Sequence, residues 1–273
     1  MFRTEERRSH FRTAIGLSEL IYFSTVRQVR RTHRNAFVGL ASNVMQTVIF
    51  VAAFYLMFSI LGMRGNAIRG DFILYLLSGI FLFLTHTKAV TAVMASEGPT
   101  SAMMKHAPMN TAIAIASAAL ASLYLQVLSA ALILFAVHVI WHPIEFYKPI
   151  PTVGMFLLAW FTGVAVGMVL LAMKPWFPGF AQTLAMVYSR ANMIASGKMF
   201  VANMMPGYIL AFFDWNPLFH AIDQARGFAF INYNPHFSSV SYPLLVGVIL
   251  IMIGLMGEFY TRKHASISWS AGR

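Results

Sequence analysis

"FVGLASNVMQTVIFVAAFYLMFSILG", residues 37–62, decides the fold class, because it contains no Asp, Glu, Lys or Arg. A helix crosses roughly 30 Å of hydrocarbon with about 20 mostly apolar residues. Working outward, comparable runs recur at 72–94, 110–140, 152–173 and 243–260, with a weaker one at 180–201 that Arg190, Asn192 and Lys198 interrupt. The whole chain is 58% hydrophobic and 11% charged, with a mean hydropathy of +0.66. A soluble domain carries about a quarter charged residues. The sequence therefore predicts an all-α integral membrane protein with six transmembrane helices. With no cysteine among the 273 residues, disulfides, thiolate metal sites and cysteine nucleophiles are excluded.

The net charge of +11 reads as Lys and Arg held at a membrane face rather than as a nucleic-acid footprint. Eight Arg precede residue 37, and Lys105, Lys174, Arg262, Lys263 and Arg273 fall on the same side as the N-terminus. Arg64, Arg69, Lys148, Lys198 and Arg226 fall on the other. The positive-inside rule then places both termini in the cytoplasm. The chain divides into a basic tail with an interface helix (1–36), a membrane domain (37–260) and a cytoplasmic tail (261–273).

Residues 14–35 are apolar but broken by Glu19, Arg27, Arg30 and Arg31, so no cleavable signal is expected. Leu17, Leu20, Ile21, Ser24, Gln28 and Arg31 follow a 3.6-residue period, and Ile15, Tyr22, Phe23 and Val26 widen the apolar side. This predicts an amphipathic helix lying in the inner interface, with Arg27, Arg30 and Arg31 toward headgroups or a cytoplasmic partner. A solvated basic tail is the alternative. Gly163 with Gly167, and Gly254 with Gly257, predict faces where helices pack closely.

Several chemistries are missing. "SGKMF", 196–200, lacks the flanking residues of a phosphate-binding loop, so the chain carries no ATPase motif. His138 and His142 lie four apart at a span end, where interfacial packing outweighs a metal site. All nine acidic residues fall in tails, loops or span ends, so ion-coupled pumping is not expected. Neither a metal nor a cofactor in this chain is predicted.

Two basic residues lie inside spans. Lys88 sits about 9 Å from the inner end of its helix, from where it snorkels or serves a pathway. Arg190 lies near mid-depth, where an Arg costs at least about 2.5–3.5 kcal/mol unless it faces protein or water. It is expected to look into a polar cavity walled by Tyr188, Trp160 and Phe161, with Trp176 and Phe177 nearby. Those aromatics equally suit interfacial anchoring.

Residues 202–241 are too polar for another crossing and too aromatic for a free loop, which predicts a re-entrant helical hairpin on the outer side. Asn216 and Pro217 read as an N-cap and first helical residue. His220, Asp223 and Arg226 follow at three-residue spacing, so Asp223 and Arg226 can pair along one face, pinning the hairpin or lining a gate.

The segment "WNPLFHAIDQARGFAFINY", 215–233, resembles the Asn-Pro-Leu-x-His…(Asp/Glu)-x-x-Arg stretch of ABC-2 type permeases that export capsular polysaccharide and O-antigen. The Arg-rich N-terminal helix, "FILYLLSGIFLFLT" (72–85), "KHAPM" (105–109) and the final "EFYTRKH" (258–264) are similar too. Gly39 stands without the Trp and Pro that usually follow in that family's first span. The resemblance implies a homodimer in a bacterial inner membrane, joined by two copies of a separate ATPase that binds ATP and magnesium. It implies a coupling element at 95–109 with Glu97, Lys105 and His106 as contacts. It implies passage of a lipid-linked polysaccharide between the two copies, handed to periplasmic or outer-membrane export proteins. A permease for a small lipid or drug shares the architecture. A membrane-embedded transferase would need a catalytic carboxylate or His, drawn from Glu97, His106, Asp214 or Asp223. A purely structural anchor is the remaining alternative.

Overall fold

The computed structural model describes residues 10–32, 36–60, 62, 68, 71–98, 110–141 and 143–264. Every regular element among them is helical: α1 (His10–Thr32), α2 (Ala36–Ile60), α3 (Phe72–Met94), α4 (Thr111–Ile140), α5 (Pro149–Met173), α6 (Pro178–Ala195), a 3-10 turn (Ala202–Met204), α7 (Gly207–Leu210), α8 (Pro217–Ala229) and α9 (Ser241–His264). Five are long and apolar enough to cross a membrane: α2, α3, α4, α5 and α9. They match the predicted spans, with α5 and α9 each a few residues longer than the apolar runs indicate. Their starts are chemically marked. Asp71 accepts the Ile73 amide at 2.8 Å and Asn110 the Ala112 amide at 3.3 Å, so both are N-caps.

α3 is the axis of the bundle. It is apolar over its N-terminal half, and 83% of its most apolar window is buried, against 17% for α2, α4 and α9. α5 lies against it because glycine removes the side chains that would hold the backbones apart. A Cβ on Gly163 would meet the His86 carbonyl oxygen at 2.5 Å, and one on Gly167 would meet that of Val90 at 2.9 Å. On the other flank of α5, a Cβ on Gly254 or Gly257 of α9 would sit 2.8 Å from the Met168 Cβ or 2.9 Å from the Ala172 Cβ. Both predicted glycine faces are therefore helix contacts.

Polar clamps join the remaining seams. Asn43 of α2 donates to Ser129 of α4 at 2.8 Å and accepts from Gln126 at 3.1 Å, with all three buried. The Trp160 indole donates to the Ala119 carbonyl at 2.9 Å, tying α5 to α4. Trp176 donates to Thr261 at 2.8 Å, tying the α5–α6 turn to α9. These bonds replace water that a bilayer cannot supply.

The segment 180–201 departs from expectation. The helix stops at Ala195 because Gly197 adopts φ 75°, a left-handed turn that ends a helix cheaply only at glycine. The Cα of Lys198 lies 3.0 Å from where a Cβ on Gly79 would sit. That is seven residues below the start of α3, or about 10 Å. α6 thus ends short of the level of its neighbours, and α8 fills the space above it. The end of the bundle holding the C-termini of α3, α5 and α9 and the start of α4 is called here the terminal end, since α1 also lies there. The end holding α7 and α8 is the far end.

Candidate translocation surface and its polar supports

The far-end hairpin is built on α8, whose Asn216–Pro217 start is the predicted cap: Asn216 Oδ1 accepts the Leu218 amide at 3.0 Å. The same side chain donates to Asn192 Oδ1 and to the Ala195 carbonyl, both at 2.9 Å, so one residue starts α8 and holds the end of α6. Arg226 is 1% exposed. Its guanidinium donates to the carbonyls of Gly197 (2.8 Å), Phe200 (2.6 Å) and Lys198 (2.7 Å), and lies 4.2 Å over the Tyr75 ring. It therefore satisfies the carbonyls that the broken helix leaves open.

The predicted Asp223–Arg226 pair is replaced by separate partnerships. Asp223 accepts from Tyr233 and, at 2.6 Å, from Ser238, which anchors the chain descending to α9. Burial, reinforced by the Asp223 carboxylate, pushes the Tyr233 phenol above its ordinary range. His220 donates from Nε2 to the Asp214 carbonyl at 2.5 Å and accepts the Ser239 amide on Nδ1 at 3.0 Å. His220, Asp223 and Arg226 are all buried, and each braces the hairpin.

Beneath α8 lie two buried polar groups: His86, which the sequence reading passes over, and Lys198, which it places among the outer-side cations and which the structure buries deep in the bundle. His86, fully buried on α3, meets Ala159 O and Thr162 Oγ1 at 3.1 Å through Nδ1, and the Tyr188 hydroxyl at 2.8 Å through Nε2. One imidazole thus links α3, α5 and α6. Lys198 is 2% exposed, and its Nζ has no hydrogen-bond partner. The amine rests 3.3 Å from the centroid of Phe83 and 5.3 and 5.7 Å from those of Phe54 and Phe50. Phe83 is the midpoint of α3, so this ammonium site lies at mid-depth in the bundle.

Arg190 faces outward. It is exposed on α6, in a surface that also presents Met186, Val187, Met193 and Ile194. Twelve residues separate it from the start of α6, about 18 Å, which is again mid-depth. The aromatic residues expected around it serve helix seams instead. Tyr188 turns the opposite way to His86, Trp160 bonds to Ala119, and Phe161 packs on Gly247. Trp176 stacks on Tyr260 at 5.8 Å between centroids.

At the terminal end, α1 is a helix as predicted and packs against α4, with Tyr22, Phe23, Arg27 and Arg30 exposed. Glu97 is half-buried just past α3. The Arg31 side chain, Lys105, His106 and His142 lie outside the described residues. Among the described residues no His, Asp and Glu group is arranged to hold a metal, and His138 accepts the Ile144 amide at 3.0 Å.

A bundle with five helices long and apolar enough to cross a membrane defines a multi-pass membrane protein. The sequence matches the ABC-2 type transporter family over residues 19–230, and the chain belongs to that family. Such domains are the permease components of ABC transporters and normally pair with an ATPase subunit, in keeping with the lack of an ATPase motif here. A search of curated proteins found no match.

Proposed function

We propose that this chain is the permease subunit of an ATP-driven exporter that moves a lipid-linked capsular or other cell-surface polysaccharide across a bacterial inner membrane. The observation that carries the reading is Arg190, exposed at mid-depth on α6. Facing lipid there, it would cost at least about 2.5–3.5 kcal/mol. A second copy of the chain, with water between the two α6 surfaces, removes that cost and creates a polar path. In this reading α6 makes the sixth crossing, the terminal end is cytoplasmic, and two ATPase subunits dock there on residues 95–109 and α1. The α8 hairpin, held by Asn216, His220, Asp223 and Arg226, forms the outer rim of the path. The polysaccharide assignment draws on the resemblance of residues 215–233 and on the hydrophilic path that an exposed Arg190 requires.

The test deletes the gene in its host and separates long-chain glycan into surface and intracellular pools. Loss from the surface with accumulation inside, restored by the wild-type gene but not by Arg190→Leu of equal abundance, is the expected result. Unchanged pools on deletion overturn the polysaccharide reading and favour a small lipid or drug. Full restoration by Arg190→Leu overturns the α6 path.

A further inference from the structure

At the terminal end, α1, α2, α3 and α4 enclose a cleft of about 300 Å³, within the range of small-ligand pockets. Among the described residues, Lys88 is the only charged one lining it. Alanines at 92, 118 and 121 keep the floor open, while Ser42, Gln46 and Gln126 bring hydroxyl and amide groups to the walls. Among the described residues, no hydrogen bond or ion pair engages the side chains of Lys88, Ser42 or Gln46. Among the described residues no acidic side chain lines the cleft, so none there neutralises the ammonium. Lys88 stands six residues above the end of α3, about 9 Å, and lines the cleft half-buried.

A half-buried cation flanked by two side chains with donors to spare, Ser42 and Gln46, and by no carboxylate among the described residues suits an anion. An oxyanion with several acceptor oxygens uses all of these donors at once, as phosphate does and chloride does not. One wall of the recess is α1, through Gln28 and Val29, and the exposed Tyr22 and Phe23 of that helix suit a membrane interface. We infer that this cleft binds a phosphate group, on a lipid headgroup or free, with Lys88 as its charge partner and Ser42 and Gln46 as flanking donors. This site is separate from the Arg190 surface and stands whether or not the exported substrate is a glycan.

The test uses the protein purified from its host membrane with its co-purifying subunits, delipidated and re-exposed to three probes. These are dioleoyl phosphatidic acid, dioleoylglycerol with the same chains and no phosphate, and inorganic phosphate, each followed by native mass spectrometry. Phosphatidic acid should be retained and dioleoylglycerol not. Lys88→Gln should weaken retention about tenfold, Lys88→Arg should keep it, and Lys263→Gln on exposed α9 should leave it unchanged. Ala92→Leu, which fills the floor while leaving the charge, should also weaken it if Lys88→Gln fails to assemble. Binding of inorganic phosphate with the same Lys88 dependence assigns the site to a soluble phosphate; its absence assigns it to lipid. Equal retention of both lipids, or binding unchanged by both Lys88→Gln and Ala92→Leu, overturns the inference.

Discussion

Replacing Lys198 by methionine should make the protein more stable, although Lys198 is among its most deeply buried residues. Its amine has no hydrogen-bond partner and sits at mid-depth among Phe50, Phe54 and Phe83. Insertion of a Lys at the centre of a membrane helix costs about 2.5–3.5 kcal/mol. A desolvated cation over aromatic faces recovers about 2 kcal/mol. Methionine has nearly the same length, fills the same space and adds its own contacts with the rings. The difference favours methionine by about 1 kcal/mol, or roughly 2–4 °C in melting temperature for a chain of this size. The sign holds if the amine is neutral, because an uncharged amine without a partner is also poorly placed. Thermal unfolding in detergent, followed by the loss of monodisperse protein, measures it. Lys198→Ala is the control and should lose about 2–5 kcal/mol to the cavity it leaves. A methionine variant that melts below wild type would show that the ammonium contributes net stability, and would refute the reasoning.

Arg226→Met strips a cationic donor from three buried carbonyls and should lower stability by about 3–5 kcal/mol, with Arg226→Lys falling between; thermal unfolding of both reads this out. Gly163→Ala forces apart α3 and α5, because the new Cβ would sit 2.5 Å from the His86 carbonyl, and should cost about 1–3 kcal/mol. Gly154→Ala, on the same helix with nothing within 4 Å, should be neutral or gain about 0.5–1 kcal/mol from helix propensity. Because burial and Asp223 hold the Tyr233 phenol above its ordinary value near about 10, its bond stabilises the fold fully below that pH and is lost as pH rises past it. The stability difference between wild type and Tyr233→Phe should therefore shrink above about pH 10; a difference that grows with pH would contradict this.

The parts of the fold readable from sequence are those set by local pattern. Apolar runs mark the five long helices because a bilayer demands them, Asn216–Pro217 marks the start of α8, and the glycine pairs mark the seams of α5. What sequence spacing did not reveal depends on partners far along the chain. Asp223 and Arg226 sit at a spacing that suits a pair, yet Arg226 is claimed by carbonyls 26 to 29 residues away, which no helical periodicity discloses. His86 lies in an apolar run and becomes a three-helix junction only once Gly163 admits α5. The early end of α6 had a legible signal in Gly197, overridden by the apolar residues that follow it.

The central claim is that the α6 surface bearing Arg190 faces water between two copies of the chain. With no native cysteine, single substitutions give clean readings in native membranes. The decisive measurement is the reaction of Arg190→Cys with a charged, water-soluble thiol reagent, together with its cross-linking by a short bismaleimide. Rapid labelling at 190, protected cysteine at buried Asn192, and a cross-linked dimer are the result predicted here. A cysteine at 190 that reacts only with lipid-soluble reagents and never cross-links would place that face against the bilayer and contradict the account.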